Sequence, residues 1–405
     1  MELIPGYKKT DFGLIPEEWS IKPLRDIFTL KNGFAFNSQY FSSTGPVLLT
    51  PGNFRLDGGL YFEDRNTKHY SGSYPENMKF SRGDLLIVMT DLTPNCNLLG
   101  KPAIIDSDEI ILHNQRIGKV IFNKNLVQQK FLYYLLLSTK YLSRVKEQAT
   151  GSTVRHTSNK SIYSIELPFA NLPEQNAIAA ALSDVDALLE SLDRLIAKKR
   201  SLKQAAMRQL LTGQTRLPGF SGEWEVKTLI EITDSLDNLR VPLNESQREK
   251  RKGDYPYCGA NGVLGYVDDY VIDDDIILMA EDGGYFDEYE TRPIAYRMTG
   301  KCWVNNHAHI LKAKPEFDQG FLFYSIVHKN ILPFLASGTR AKLNKTEMNK
   351  IEILRPKTIY EQIAIADVLA EMDKELTELE QRRDKTAALK QGLMQELLTG
   401  RTRLV

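Results

Sequence analysis

Three clusters in this chain have residue types suited to chemistry, and each stops short of a complete set. His307 and His309 lie two apart, so on a strand they share a face and could begin a metal site. No third histidine or cysteine is clustered with them. Asp273-Asp274-Asp275 could attract a cation, but an acidic loop ahead of the strand Ile276-Ile277-Leu278-Met279 is the more usual reading. Asp91-Leu92-Thr93-Pro94-Asn95 grazes the Asp-Pro-Pro-aromatic pattern of amino-group methyltransferases; it lacks the second proline and the aromatic, and reads as a turn. Neither a G-x-x-x-x-G-K-[ST] phosphate loop nor a G-x-G-x-x-G turn is present. The three cysteines, Cys96, Cys258 and Cys302, are scattered and form no C-x-x-C, which points to a reducing compartment and to neither a disulfide framework nor a zinc site. The chain is therefore expected to have no catalytic machinery of its own, no metal and no cofactor.

The elements that would position any functional residue are announced by a repeat. Residues 174–217 align without a gap on residues 361–404 at an offset of 187, with 21 identities in 44 positions. A duplicated segment at nearly half the chain length implies two similar modules. Apolar residues in the first copy fall at Ile178, Leu182, Val185, Leu189, Leu192 and Ile196; in the second they fall at Ile365, Leu369, Met372, Leu376 and Leu379. The alternating spacing of four and three is that of a helix pair. Each copy ends in Leu-Leu-Thr-Gly, where Gly213 and Gly400 can take the left-handed conformation that stops a helix. A run from Glu174 to Leu211 makes a rod on the order of 55 Å. Narrow seams and charged outer faces favour the two helices packing on each other, antiparallel, over each packing only on its own globular neighbour.

Four regions follow: a variable module at 1–171, a helical region at 172–215, a second variable module at 216–357 and a distal helical region at 358–405. The modules share a plan. Each opens with Pro-Gly-aromatic and a tryptophan, Pro5-Gly6-Tyr7 to Trp19 and Pro218-Gly219-Phe220 to Trp224. Each has a polar stretch before a strand, His113-Asn114-Gln115-Arg116 or Asn305-Asn306-His307-Ala308-His309. An aromatic helix follows, in which Tyr133, Tyr134, Phe323 and Tyr324 are read as core. Each closes with a glycine-led polar turn, Gly151-Ser152-Thr153-Val154-Arg155 or Ser337-Gly338-Thr339-Arg340. The chain ends at Thr402-Arg403-Leu404-Val405 where the internal copy runs on through Leu217 into Pro218-Gly219, so the organisation is cyclic. The fold class expected is α+β: two globular α/β modules separated by two long helices packed as an antiparallel coiled coil, with a pseudo-twofold cyclic repeat.

Of 405 residues, 42% are hydrophobic and 26% charged, with formal net charge zero. There is no long apolar run and no charged leader, so the expected location is the cytoplasm, with no membrane partner. Charge is unevenly placed: residues 218–356 carry 22 acidic and 17 basic side chains. If this module binds a polyanion, its bases must be gathered on one face.

In its circular repeat, in Pro173-Glu174-Gln175 and Tyr360-Glu361-Gln362, in the Leu-Leu-Thr-Gly ends, and in the Gly-Ser-Thr-x-Arg type turns, the chain resembles the specificity subunit of type I restriction-modification systems. Tyr255-Pro256-Tyr257-Cys258-Gly259-Ala260-Asn261-Gly262 and Trp303-Val304-Asn305-Asn306-His307-Ala308-His309 add to the likeness. The resemblance covers essentially the whole chain. It implies a noncatalytic subunit whose two target-recognition domains each read one half of a split double-stranded DNA target, the helices setting the gap. It also implies two modification (methyltransferase) subunits bringing S-adenosylmethionine, and restriction subunits with motor and nuclease activity that use ATP and Mg. Base edges are read best by Arg on guanine and Asn or Gln on adenine, while Lys, Ser and Thr mostly hold phosphates. The DNA-binding candidates in the first module are Lys31, Asn32, Asn53, Arg55, Asn114, Gln115, Arg116, Ser152, Thr153 and Arg155. Those in the second are Arg240, Arg248, Arg251, Lys252, Tyr257, Asn261, Asn306, His307, Arg340, Lys342 and Lys345. A competing reading, a coiled-coil protein-interaction scaffold without DNA specificity, predicts no salt-dependent DNA affinity.

Overall fold

A computed structural model describes residues 5–93, 95–336 and 341–404. Two 39-residue helices, Leu172–Leu210 and Ile359–Leu397, occupy the duplicated segments. Both end as anticipated: Gly213 and Gly400 have φ of 68° and 70°. The chain divides into two compact units, residues 1–191 with 382–405, and residues 192–381. Each unit thus holds one variable module, the first half of one long helix and the second half of the other.

Within each unit the two helix segments run antiparallel. In the second unit the order is fixed by Lys199 on Glu375 (2.6 Å) and Lys203 on Asp373; in the first, Lys390 reaches Asp186 at 2.6 Å. None of the eleven seam residues predicted for helix pairing is exposed. Their burial has two sources. Ile178 and Leu182 belong to the core of the first module together with Met394, Leu397 and Leu398, and Ile365 and Leu369 to the core of the second with Met207 and Leu210. The helix ends therefore pack on their own module and on each other at once, so the two packing modes weighed from sequence both occur.

Polar anchors fasten helix to module in the same way in both units. Gln175 accepts the Gln128 N–H (2.9 Å) and donates to the Ala170 carbonyl (2.9 Å); Gln362 accepts the Asp318 N–H (3.0 Å) and donates to the Pro356 carbonyl (3.2 Å). Gln128 and Asp318 in turn cap the aromatic helices Gln129–Leu137 and Gln319–Ile326, their side chains accepting the N–H of Phe131 and Phe321. On those helices Tyr134 and Tyr324 are core as expected, yet each hydroxyl donates to a carboxylate of a long helix, Asp186 at 2.7 Å and Asp373 at 2.8 Å. Burial and that hydrogen bond raise both phenol pKa values, so the hydroxyls stay donors. The fully buried Glu174 takes Arg403 on both carboxylate oxygens (2.6 and 3.0 Å) and the Trp19 indole N–H (2.8 Å), and Glu361 takes Arg216 in the same bidentate way.

The modules share one strand order beneath their different sequences. In the first, four antiparallel strands run Phe28–Asn32, Ile117–Phe122, Leu85–Val88, Pro102–Ile104; a second sheet places Ile111–His113 parallel to Phe41–Leu49, followed by Lys68–Tyr70. In the second, Thr233–Ser235, Ala308–Ala313, Ile272–Ala280, Ala295–Val304, Lys252–Gly259 and Gly262–Val267 form one six-stranded sheet. The single long strand Ala295–Val304 does there what two separate strands do in the first module. Asp273–Asp275 lie within the strand Ile272–Ala280 rather than in a loop before it. Extended backbone is tolerated because Asp274 pairs with Lys312 and Asp275 with Arg297.

Candidate nucleic-acid interface

One edge of the first module is assembled by a ladder of backbone bonds between segments distant in sequence. The Phe34 N–H donates to the His113 carbonyl (2.9 Å), Gln115 to Phe34 (3.0 Å), Met89 to Arg116 (2.8 Å) and Thr157 to Met89 (3.0 Å). Thr150 and His156 exchange bonds of 3.0 and 2.9 Å and close the polar turn between them. This ladder brings Asn32, Gln115, Arg116, Ser152, Thr153 and Arg155 to one edge. Gln115 and Arg116 are exposed, on a turn whose shape is set by the buried Asn114 accepting the Arg116 N–H (2.9 Å). Asn114 is thus the turn former. Arg155 Nε is buried with no hydrogen-bond partner among the described residues.

Other first-module candidates are held by protein groups. Asn53 is fully buried and bonds the Thr50 N–H (2.9 Å) and the Asn66 carbonyl (3.2 Å). Lys31 donates to the Asn77 carbonyl (2.8 Å), and Arg55 pairs with Asp57 at 3.2 Å. Beside the edge, His113 stacks on Phe80 with centroids 4.4 Å apart; burial pushes its pKa down to about 4, so it is a neutral packing group.

The second module builds the same ladder. Glu281 N–H donates to the His307 carbonyl (2.9 Å), Leu343 to Glu281 (2.7 Å) and Ala336 to Lys342 (2.8 Å), while Asn305 accepts the His307 N–H (2.8 Å) as Asn114 does for Arg116. Asn306, His307 and Lys342 are exposed on it, as is Lys345 just beyond; Arg340 lies outside the described residues. The chemistry differs sharply from the first module. Where Met89 covers Gly118 beside Asn32, the corresponding positions hold Glu281, His309 and Asp237. His309 sits between Asp237 (2.8 Å) and the Leu343 carbonyl (2.8 Å), and Glu281 pairs with Arg240 and with Lys342 (2.9 Å). Burial pushes the Glu281 and Asp237 carboxyls up. For Glu281 the Lys342 and Arg240 bonds outweigh it, and for Asp237 those from His309 and the Ile310 N–H, so both end below their ordinary values. Arg240 is thereby part of a buried ion network. On the outer side Asp282 holds His307 at 2.6 Å.

The run Arg248 to Lys252 lies at the other end of this sheet. Arg251 stacks on Trp303 (4.5 Å) and pairs with Asp268 (2.8 Å), and Arg248 stacks on Tyr257 (5.5 Å), leaving Lys252 exposed. Tyr257 is buried, exchanging bonds with Leu243, and Asn261 donates to the Gly283 carbonyl (2.8 Å). Sequence reasoning passed over Asp282 and the carboxylates at 237 and 281. Little local marks them: Asp282 pairs with a residue 25 positions away and Asp237 reaches His309 72 positions away, although Arg240 lies only three residues beyond Asp237.

Residues 16–198 and 221–390 each match the family described as type I restriction modification DNA specificity domain. The chain belongs to that family and carries two such domains. Over 161 residues it is 35% identical to a type I restriction enzyme specificity subunit of Haemophilus influenzae, covering 39% of this chain and 40% of the relative. The MjaVIII specificity subunit of Methanocaldococcus jannaschii is 27% identical over 53% of this chain and 51% of its own. The chain thus spans about half or less of these two relatives. The MjaX specificity subunit of the same organism aligns over 98% of this chain and 97% of its own, at 24% identity. In fold the chain is similar to the type I restriction-modification S subunit of M. genitalium, with TM-score 0.65, 18% identity and coverage of 98% of both chains. Among the described residues no helix is long and apolar enough to cross a membrane.

Proposed function

We propose that this chain is the sequence-recognition subunit of a cytoplasmic type I restriction-modification complex, each module reading one half of a split duplex target. The observation that carries the reading is the edge built twice: one backbone ladder, one strand order, and different exposed side chains at equivalent positions. A constant frame with variable polar groups is what separate half-site readers require. Through its helices the chain engages two modification subunits, which bring S-adenosylmethionine and the methyl transfer, and restriction subunits supply ATP- and Mg-dependent motor and nuclease activity. The subunit itself transfers no group; its part is to select where its partners act.

Exchanging residues 216–357 for the corresponding module of a relative, then mapping methylated sites across the host genome, tests this. One half-site should change while the other half and the gap persist. A contiguous target, or simultaneous change of both halves, refutes it.

A further inference from the structure

The first unit contains a cleft flanked by two lysines, neither of them among the candidates named above. Thr139, Leu142, Ser143 and Lys146 fall at i, i+3, i+4 and i+7 of the helix Thr139–Glu147, so they form one face, and that face lines a cleft of about 360 Å³ with Asn97, Leu99 and Lys101. Among the described residues neither lysine ammonium has a carboxylate within ion-pair distance. Asp57 attracts Lys101 from a distance, but its carboxylate is engaged by Arg55. Burial and then the neighbouring charge of Lys146 lower the Lys101 pKa, against the opposing pull of Asp57. Lys119 and Lys390, by comparison, are matched by Asp84 and Asp186. In the helix's last turn Lys146 also favours the helix dipole, but that does not account for Lys101 beside it.

The cleft is tied to the reading edge by the backbone. Val88 N–H donates to the Lys101 carbonyl (3.0 Å) and Gly100 N–H to the Val88 carbonyl (2.9 Å), and the next residue along, Met89, is a rung of the ladder that carries Arg116. The loop bearing Asn97 is folded over the fully buried Asp91, whose carboxylate accepts the N–H groups of Thr93 (2.7 Å), Leu98 (2.6 Å) and Leu99 (3.0 Å). Lys101, Lys146, Thr139, Ser143 and Asn97 thus line one cleft together with Leu56, Leu99 and Leu142, and the two lysines give it the positive charge that a phosphate group needs.

Resting on the reading above, we propose that this cleft binds a backbone phosphate of duplex DNA, anchoring the first module beside its reading edge without contributing sequence preference. The test uses the full chain assembled with its modification subunits. Affinity for a duplex bearing the methylated target, and for an unrelated duplex, is measured against salt for wild type, K101Q/K146Q and K101R/K146R. The glutamine pair should weaken both duplexes by the same factor, several-fold or more at roughly 0.15 M salt, and reduce the log–log salt slope by about 1–2; the arginine pair should behave as wild type. Melting of the glutamine pair should match or exceed that of wild type, since a like-charge repulsion is removed. Unchanged slope and affinity in the glutamine pair overturn the proposal, as does a loss confined to the target duplex. So does protection by inorganic phosphate that the glutamine pair abolishes while DNA binding is untouched, which marks a free-anion site. A wild-type complex with no DNA affinity removes the underlying reading, and this proposal with it.

Discussion

Arg116 and His307 show how one backbone position can deliver different chemistry. Arg116 stands exposed on the first module's turn, and its counterpart His307 is engaged by Asp282. A guanidinium offers paired donors to guanine acceptors, whereas a carboxylate oxygen accepts from an exocyclic base amine. Arg116→Ala should therefore cost the assembled complex about 1–3 kcal/mol in binding, with relaxed preference at one base pair of one half-site. Binding to a panel of single-base target variants checks this. A loss equal across the panel reassigns Arg116 to a phosphate. The polar candidates were legible as types, since Arg, Asn and Gln in loops are the natural readers. Their division into edge residues, turn formers such as Asn114, and buried posts such as Asn53 and Tyr257 was not, because each depends on a partner the chain brings in from elsewhere.

The long helices are the elements read most completely from sequence. Period, length and the stop at Thr-Gly are local properties, and the 39-residue spans and left-handed glycines agree with them. Their surroundings separate the two copies. A Cβ on Gly400 would stand 2.4 Å from Cδ of the rigid Pro16 ring, whereas on Gly213 its nearest neighbour is the Trp224 ring at 3.2 Å. Both substitutions to alanine pay the left-handed penalty of about 1–2 kcal/mol. Gly400→Ala should lose roughly 1–3 kcal/mol more, because overpacking against a ring cannot be relieved by rotation. Denaturant unfolding of the two variants should separate them; equal losses would show that Pro16 yields.

At the scale of the whole molecule, the two units should respond differently to acid. His113, 1% exposed, has a folded pKa of about 4 against 6.5 for the free group. The unfolded chain therefore takes up this proton first, and stability declines as pH falls from about 6.5 to about 4, by up to ~3 kcal/mol. Asp237 and Glu281 in the second unit have lowered values, so their contribution is intact above the ordinary carboxylate range and is lost only as pH drops through and below it. Between about pH 6.5 and 4.5, melting temperature should fall with a component that His113→Gln abolishes. Parallel pH profiles for wild type and variant would exclude His113 as the source.

The sequence by itself determined the twofold plan, the helices with their seam and caps, and the family, because repeats, periodicity and helix stops are written in neighbouring residues. Only the tertiary structure decided that two modules with dissimilar sequences share one strand order, since strand pairing joins residues such as Phe34 and His113 that no local pattern relates. It also decided that the acidic composition of the second module is largely neutralised in place, Asp274 by Lys312, Asp275 by Arg297 and Glu281 by Arg240 and Lys342. Lys101 and Lys146, by contrast, line one cleft, and among the described residues neither has a carboxylate within ion-pair distance. Net charge is a sum over the chain, but electrostatic function depends on which charges the fold places within a few ångströms of one another.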